Sequence, residues 1–394
     1  MTLNLEKSHW KHVTLGEVSA TSKEKVDPTD GSIERYVAGE HMDTDDLTIR
    51  RWGDVGEMDL GPAFHRRFRP GQVLYGSRRT YLRKVAVADF DGVCANTTFV
   101  VETKDDEVLL QQFLPFVMMS EPFHAFAIAE SKGSVNPYVN WSDIERYEFD
   151  LPPLDDQKRI ADLFWAVESH RSSEDHRTAL LNEAISRFCI DVYERMSRLY
   201  PLTSFDHLGE LTMGRQKAPK YMTGVGSTPY LRVANIGALE LNLAEIEEMD
   251  FNERDLARFR LEPGDVMLTE GDIVSSLNVG RPAVFDGEPV SCAFQNTLIR
   301  FRPHSSADSM FFVALFEGMR LAGVFAGTAS TTTVTHLGLG RLSGVPLPNV
   351  PEPTQVQVGN GLRSLLRVRS QTGAERRALA TVRSALLAEI LGGD

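Results

Sequence analysis

Much of this chain is written twice, and the repetition restricts the fold more than any single motif does. The stretch around residues 71–99 returns around 263–298, so that Gly71 answers to Gly264, Cys94 to Cys292, and Asn96-Thr97 to Asn296-Thr297. A second echo follows. LPPLDDQKRIADLF at 151–164 comes back, with a short insertion, as LPNVPEPTQVQVGNGL at 347–362. Solenoid units run to roughly 20–50 residues, far shorter than this period. The pattern therefore predicts two similar globular halves in tandem, related by a pseudo-twofold, with two like surfaces to present.

A chain of 394 residues has room for two or three domains. No stretch is apolar for long enough to cross a bilayer, and the polar opening MTLNLEKSHWKH has no secretory pattern, so a cytoplasmic protein is expected. Cys94, Cys189 and Cys292 have no metal-ligand spacing and read as reduced, buried packing residues. The net charge of −13 argues against a polyanion partner until its distribution is considered. Gly61 to Ala88 holds no acid but carries Arg66, Arg67, Arg69, Arg78, Arg79, Arg83 and Lys84. Leu211 to Ala238 is also acid-free, with Arg215, Lys217, Lys220 and Arg232, and Gly318 to Pro351 carries Arg320 and Arg341. Matching runs in both halves predict a basic face on an acidic body.

Four segments follow from the pattern: mixed domains over 1–150 and 201–346, and long helices over 151–200 and 347–394. Short β-like runs in 1–150 are interrupted by one helix at 107–130, which Pro115 and Pro122 are expected to break or kink. SADSMFFVALFEGMRLAGVF is its counterpart in the second half. No Gly or Pro lies between Pro153 and Pro201, and apolar residues recur there at helical spacing. This gives a helix over 155–199 with Ile160, Leu163, Phe164, Val167, Leu181 and Ile185 in its stripe. The second, over 354–391, carries Leu362, Leu365, Leu379 and Leu386. These stripes are the expected helix-pairing and subunit interface. Both helices turn polar midway, at His170–Arg177 and Arg367–Arg377. The fold class is α/β, more narrowly α+β: two tandem globular domains with short mixed sheets, joined by two antiparallel coiled-coil helices.

Catalytic signatures are missing. The chain has no GxSxG, GxxxxGK[ST], HExxH or CxxC, and GVGSTP at 224–229 precedes a strand, the wrong order for a phosphate-cradling turn. Asn136-Pro137-Tyr138 is similar to the Asn-Pro-Pro-Tyr motif of amino-methyltransferases but lacks a proline and a cofactor glycine motif. It reads better as a loop entering a short helix capped by Ser142 or Asp143.

Leu151-Pro152-Pro153-Leu154, with Gln157 and Ile160 opening a long helix, resembles the junction between target-recognition domain and spacer helix in specificity subunits of type I restriction-modification systems. Asp156 stands where Glu is usual, and Pro346-Leu347-Pro348 with Gln355 forms a more degenerate second junction. Arg35-Tyr36-Val37 with Glu40-His41-Met42, FRPGQVLYGSRRTYLRK and Tyr230 to Ile236 add to the likeness. The resemblance implies a non-catalytic DNA reader. Each half would read part of a split, asymmetric site in double-stranded DNA, and the helices would set the gap. It further implies two modification subunits and restriction subunits as partners. S-adenosylmethionine, ATP and magnesium would be held by those partners, and no cofactor or metal by this chain. The alternatives are a coiled-coil interaction scaffold, a methyltransferase in its own right, or a DNA reader of another phage-defence system.

Phosphate contacts position a reader, whereas base discrimination needs Arg on guanine or Asn and Gln on adenine. Candidates in the first half are Arg78, Arg79, Arg83 and Lys84, with Lys132, Asn136, Tyr138 and Asn140 in the loop before the junction. In the second they are Arg215, Lys217, Lys220, Ser275, Asn278 and Arg281, with Thr331, Thr332 and Thr333 in the equivalent loop.

Overall fold

The computed structural model describes residues 6–57, 59–272, 279–304, 307–331 and 335–392. It divides into two compact units, Met1–His176 with Ala374–Asp394, and Arg177–Gly373. Both boundaries fall inside long helices. The first helix runs unbroken over Leu154–Leu199 and the second over Glu352–Leu391. Each unit thus holds one domain, the front of one long helix and the rear of the other.

The sequence repeat is a repeat of topology. In the first unit an antiparallel sheet has the order Ser19–Thr21, Thr98–Thr103, Val73–Gly76, Val85–Val87. In the second the order is Gly209–Met213, Leu298–Pro303, Val266–Thr269, Pro282–Val284. Each unit also has a sheet with one parallel pair, Arg35–Val37 beside Gly92–Ala95 and Ser227–Leu231 beside Ala293–Phe294. The repeated glycines serve one turn: Gly71 has φ 90° and Gly264 φ 96°, a left-handed backbone that disfavours any side chain.

The predicted helix at 107–130 is shorter and divided, over Leu114–Met119 and Glu121–Ala129. Both prolines stand in first turns, where a missing N–H costs nothing, and the Ser120 hydroxyl caps the second piece by accepting from the Phe123 amide. The second unit has no proline there and forms a single longer helix, Ser309–Leu321. That helix lies close to the long one: a Cβ on Gly318 would fall 2.1 Å from the Cys189 carbonyl oxygen. All three cysteines are buried, and burial pushes their thiols up to about 12, as packing residues require.

Within each unit the two helix segments run antiparallel. In the first, Glu168 pairs with Arg383 at 3.2 Å and Asp175 with Arg376 at 3.1 Å. In the second, Phe188 lies beside Gly361 and the Tyr200 hydroxyl is 3.4 Å from that of Thr354. The polar midsections leave the helices intact because charges pair across them. The apolar stripe corrects one expectation. Ile160 and Phe164 are sealed in the first unit's core, and Ile185 and Leu362 in the second's. Buried inside the chain, these four offer nothing to another subunit. Leu365 and Leu386 pack on the same cores from the edge, and Leu163, Val167, Leu181 and Leu379 are half-buried.

A buried glutamine joins each domain to its helix. Gln157 donates to the carbonyls of Val108 and Pro152, both at 2.9 Å, and accepts from the Leu110 amide at 2.9 Å. Gln355 donates to the Val350 carbonyl at 2.8 Å and accepts from the Asp308 amide at 3.1 Å. Removing such an amide strands buried backbone groups. Gln157→Leu is expected to destabilise the first unit by about 3 kcal/mol. Denaturant unfolding checks this, and a loss below about 0.5 kcal/mol would show the bonds to be dispensable.

Candidate nucleic-acid interface

In the first unit two loops converge at one end of the four-stranded sheet. The loop at 132–138 is closed by reciprocal backbone bonds between Lys132 and Tyr138, at 2.8 and 2.9 Å. It lies on the strand end after Gly76: the Val139 amide donates to the Ser77 carbonyl and the Arg79 amide to the Pro137 carbonyl, at 3.0 and 2.6 Å. This juxtaposition places Asn136 beside Arg79, whose Nε donates to the Asn136 amide oxygen at 2.9 Å. Arg78, Arg79, Lys84 and Asn136 line a single open cleft of about 420 Å³. Four candidates separated by up to 58 positions in sequence therefore meet in one place.

Their freedom differs. Arg78 is exposed, and among the described residues its side chain has no hydrogen bond or ion pair. Arg79 is exposed and bonds Asn136 through Nε, which leaves its two terminal guanidinium nitrogens available for a forked contact. The Lys84 ammonium donates to the Gly39 carbonyl. Arg83 turns away, pairing with Asp45 at 3.0 Å and Glu121 at 2.8 Å. Lys132 pairs with Asp143 at 2.8 Å and, with the Asn140 amide, holds that carboxyl below the usual range. Tyr138 is exposed. Asn140, not Ser142 or Asp143, caps the helix Trp141–Ile144; Asp143 stands three residues on, where its carboxylate accepts from the Asn140 amide at 3.0 Å.

Local charge runs misstate the surface. Arg66 donates to the Thr98 carbonyl at 2.8 Å, Arg67 pairs with Asp91 at 2.5 Å, and Arg69 with Glu24 at 2.6 Å. Three of the seven cations in the first acid-free run, Arg67, Arg69 and Arg83, are thus paired with acids from other segments.

In the second unit Arg215 is mostly buried. It lies 3.6 Å over the Tyr221 ring, pairs with Asp255 at 3.0 Å and donates to the Asp250 carbonyl at 2.6 Å. It is a packing residue. Lys217 pairs with Glu247 at 2.5 Å; that carboxylate and the Tyr230 hydroxyl raise its pKa. Lys220 stays exposed beside Tyr221, and Arg281 donates its amide to the Thr269 hydroxyl at 3.0 Å. Ser275, Asn278, Thr332 and Thr333 lie outside the described residues, and only the backbone of Thr331 is described. The strands that lead into these segments are neighbours: Gly271–Asp272 pairs with Thr335–His336, which pairs with Ser330–Thr331. The Leu337 amide donates to the Glu270 carbonyl as Val139 does to Ser77, so the loop before each junction docks on the same strand end. Sequence reasoning passed over Asp45 and Glu121, the partners of Arg83, because nothing near them in sequence signals that role.

Among the described residues no group of three or more His, Cys, Asp or Glu could hold a metal ion, and no helix is long and apolar enough to cross a membrane.

Residues 45–183 match the family model described as "Type I restriction modification DNA specificity domain". The chain is similar to the type I restriction enzyme EcoDI specificity subunit of Escherichia coli, 24% identical over 179 residues. That alignment covers 44% of this chain and 39% of the relative, so the match spans well under half of the relative's length. A type I restriction-modification S subunit from M. genitalium has the same fold, with a TM-score of 0.60 at 12% identity over 100% of this chain and 98% of that one. A chain from a structure of complex assembly and conformational transition in a type I R-M system gives 0.57 at 19% identity, over 96% and 97%.

The two kinds of arginine separate in a stability measurement. Arg215→Ala is expected to destabilise the second unit by about 3 kcal/mol, through the lost ring stack and the uncompensated Asp255. Arg78→Ala should change stability by no more than about 0.5 kcal/mol. Equal losses in denaturant unfolding would remove the distinction.

Proposed function

From a chain whose residues 45–183 match the model of the type I restriction modification DNA specificity domain, and whose fold is that of type I S subunits, we propose a sequence-specific reader of double-stranded DNA. Each unit reads one part of a bipartite, asymmetric site. The chain is non-catalytic and docks two modification subunits, which carry S-adenosylmethionine, and restriction subunits, which carry ATP and magnesium.

One observation carries this reading: the frameworks repeat while the tips diverge. Sheet order, the Gly71 and Gly264 turns, the docking of the loop before each junction and the buried glutamines are shared. The sequences that follow the matching strands are not, SRRTYLRK in one copy of the repeat standing against TEGDIVSSLNVGR in the other. An enzyme with two equivalent sites would keep its tips alike. A reader of two different words needs them different.

In the first unit Arg79, held by Asn136, suits the O6 and N7 edge of guanine, with Arg78 for a phosphate. The net charge of −13 implies that partner subunits supply much of the electrostatic affinity. The distinctions among DNA reader, scaffold and methyltransferase are accessible in the host. Methylome sequencing with and without this gene is expected to show loss of one bipartite motif. An unchanged methylome would contradict the proposal.

A further inference from the structure

The loop that carries Arg78 and Arg79 holds a backbone it does not favour. A short 3-10 turn, Thr80–Leu82, is flanked by Arg79 at φ 53° and Arg83 at φ 50°, both left-handed. Long side chains rarely adopt that region, and such residues persist where their surroundings fix them. Asp45, also left-handed at φ 51°, supplies the fixing. Its carboxylate accepts from Arg83 Nε at 3.0 Å, and its amide donates to the Arg83 carbonyl at 3.2 Å. Behind the pair His124 is fully buried, and burial and Arg83 push its pKa down to about 3. A neutral His124 leaves the Asp45 charge to Arg83.

Asp45 is itself tied to the helix pair. Arg383 of the second long helix donates to the Asp45 carbonyl at 2.7 Å and bonds Glu168 of the first at 3.2 Å. Arg171 bonds the same glutamate at 2.6 Å. A continuous path, Glu168 to Arg383 to Asp45 to Arg83, thus joins the paired helices to the cleft loop, all within the first unit.

The second unit attaches its loop differently: Arg369 of the second long helix donates to the Ala238 carbonyl at 2.6 Å and pairs with Glu240 at 3.5 Å. Tyr36 and Tyr230 hold equivalent places beside their parallel partner strands, and His41 and Asn235 close the same turn on the amides of Ala38 and Arg232. By that spacing Asp45 corresponds to Leu239, itself left-handed at φ 65°. Matching the starts of the long helices sets Glu168 against Leu366 and Arg383 against Ile185. Leu239, Leu366 and Ile185 belong to one apolar cluster. Where the second unit has Leu239 in an apolar cluster beside the Arg369 bond, the first has a carboxylate, Asp45, that carries the link on to Arg83 at the end of the cleft loop.

We infer that Asp45 is a positioning residue for DNA reading by the first unit, holding the Arg79–Arg83 loop in its reading shape through Arg83 and linking it to the helix pair through Arg383. The inference rests on the proposed reading of function, and two measurements on the full chain separate them. Asp45→Asn keeps a residue that tolerates the left-handed backbone and removes only the charge. Hydrogen exchange at the Leu82 and Arg83 amides, which close the turn onto Arg79 and Thr80 at 2.7 and 2.9 Å, is expected to rise about tenfold. Exchange at 266–269 of the second unit should not change. In complex with the modification subunits, the variant should lose about tenfold in discrimination at the half-site the first unit reads. Discrimination at the other half-site should be kept. Arg83→Gln is expected to act alike, and the double variant no worse than either single one. Unchanged exchange at 82–83, or equal loss at both half-sites, would overturn the inference. Altered exchange in a protein whose unsubstituted form shows no sequence preference would overturn the reading of function instead.

Discussion

A buried amide at the head of each long helix, Gln157 in one unit and Gln355 in the other, bonds to the backbone of the domain that precedes it. Each glutamine is almost wholly inaccessible, so its bonds meet no competition from water, and losing them leaves backbone groups unpaired. Each domain is thereby fixed to the helix that follows it. The tip loops inherit that fixation through the sheet, because the loop before each junction docks on a strand end of the same domain. The repeat preserves this joint while much of the surface has diverged.

The helices themselves are less alike than their lengths suggest. In the first unit they meet through Glu168, Arg171 and Arg383, all largely buried, and in the second through apolar residues around Ile185 and Leu362. A buried ion pair adds little net stability over a well-packed apolar contact. Its physical consequence is directional: charges specify a partner and a register, and here they connect onward to Asp45. The same framework thus supports two modes of attachment.

The frame was legible in the sequence because its signals are local. Helical spacing without Gly or Pro marks 155–199, and the observed helix, Leu154–Leu199, begins one residue earlier. Gly71 and Gly264 marked one turn twice. The meeting of Arg79 with Asn136 was legible only as two separate candidates. Charge was misread for a physical reason. An acid-free run looks basic along the chain, but folding brings Asp91 to Arg67, Asp45 to Arg83 and Asp255 to Arg215. Pairing across such separations leaves no periodic trace. The acids that pair with these cations were for that reason not legible in the sequence.

The central claim is that two units on one repeated frame read two different words. Its most direct test is selection from a pool of random duplexes by the full chain assembled with its modification subunits. The account predicts enrichment of two short, unlike sequences separated by a gap of fixed length with no base preference. A single uninterrupted sequence, two identical words, or no enrichment would contradict it.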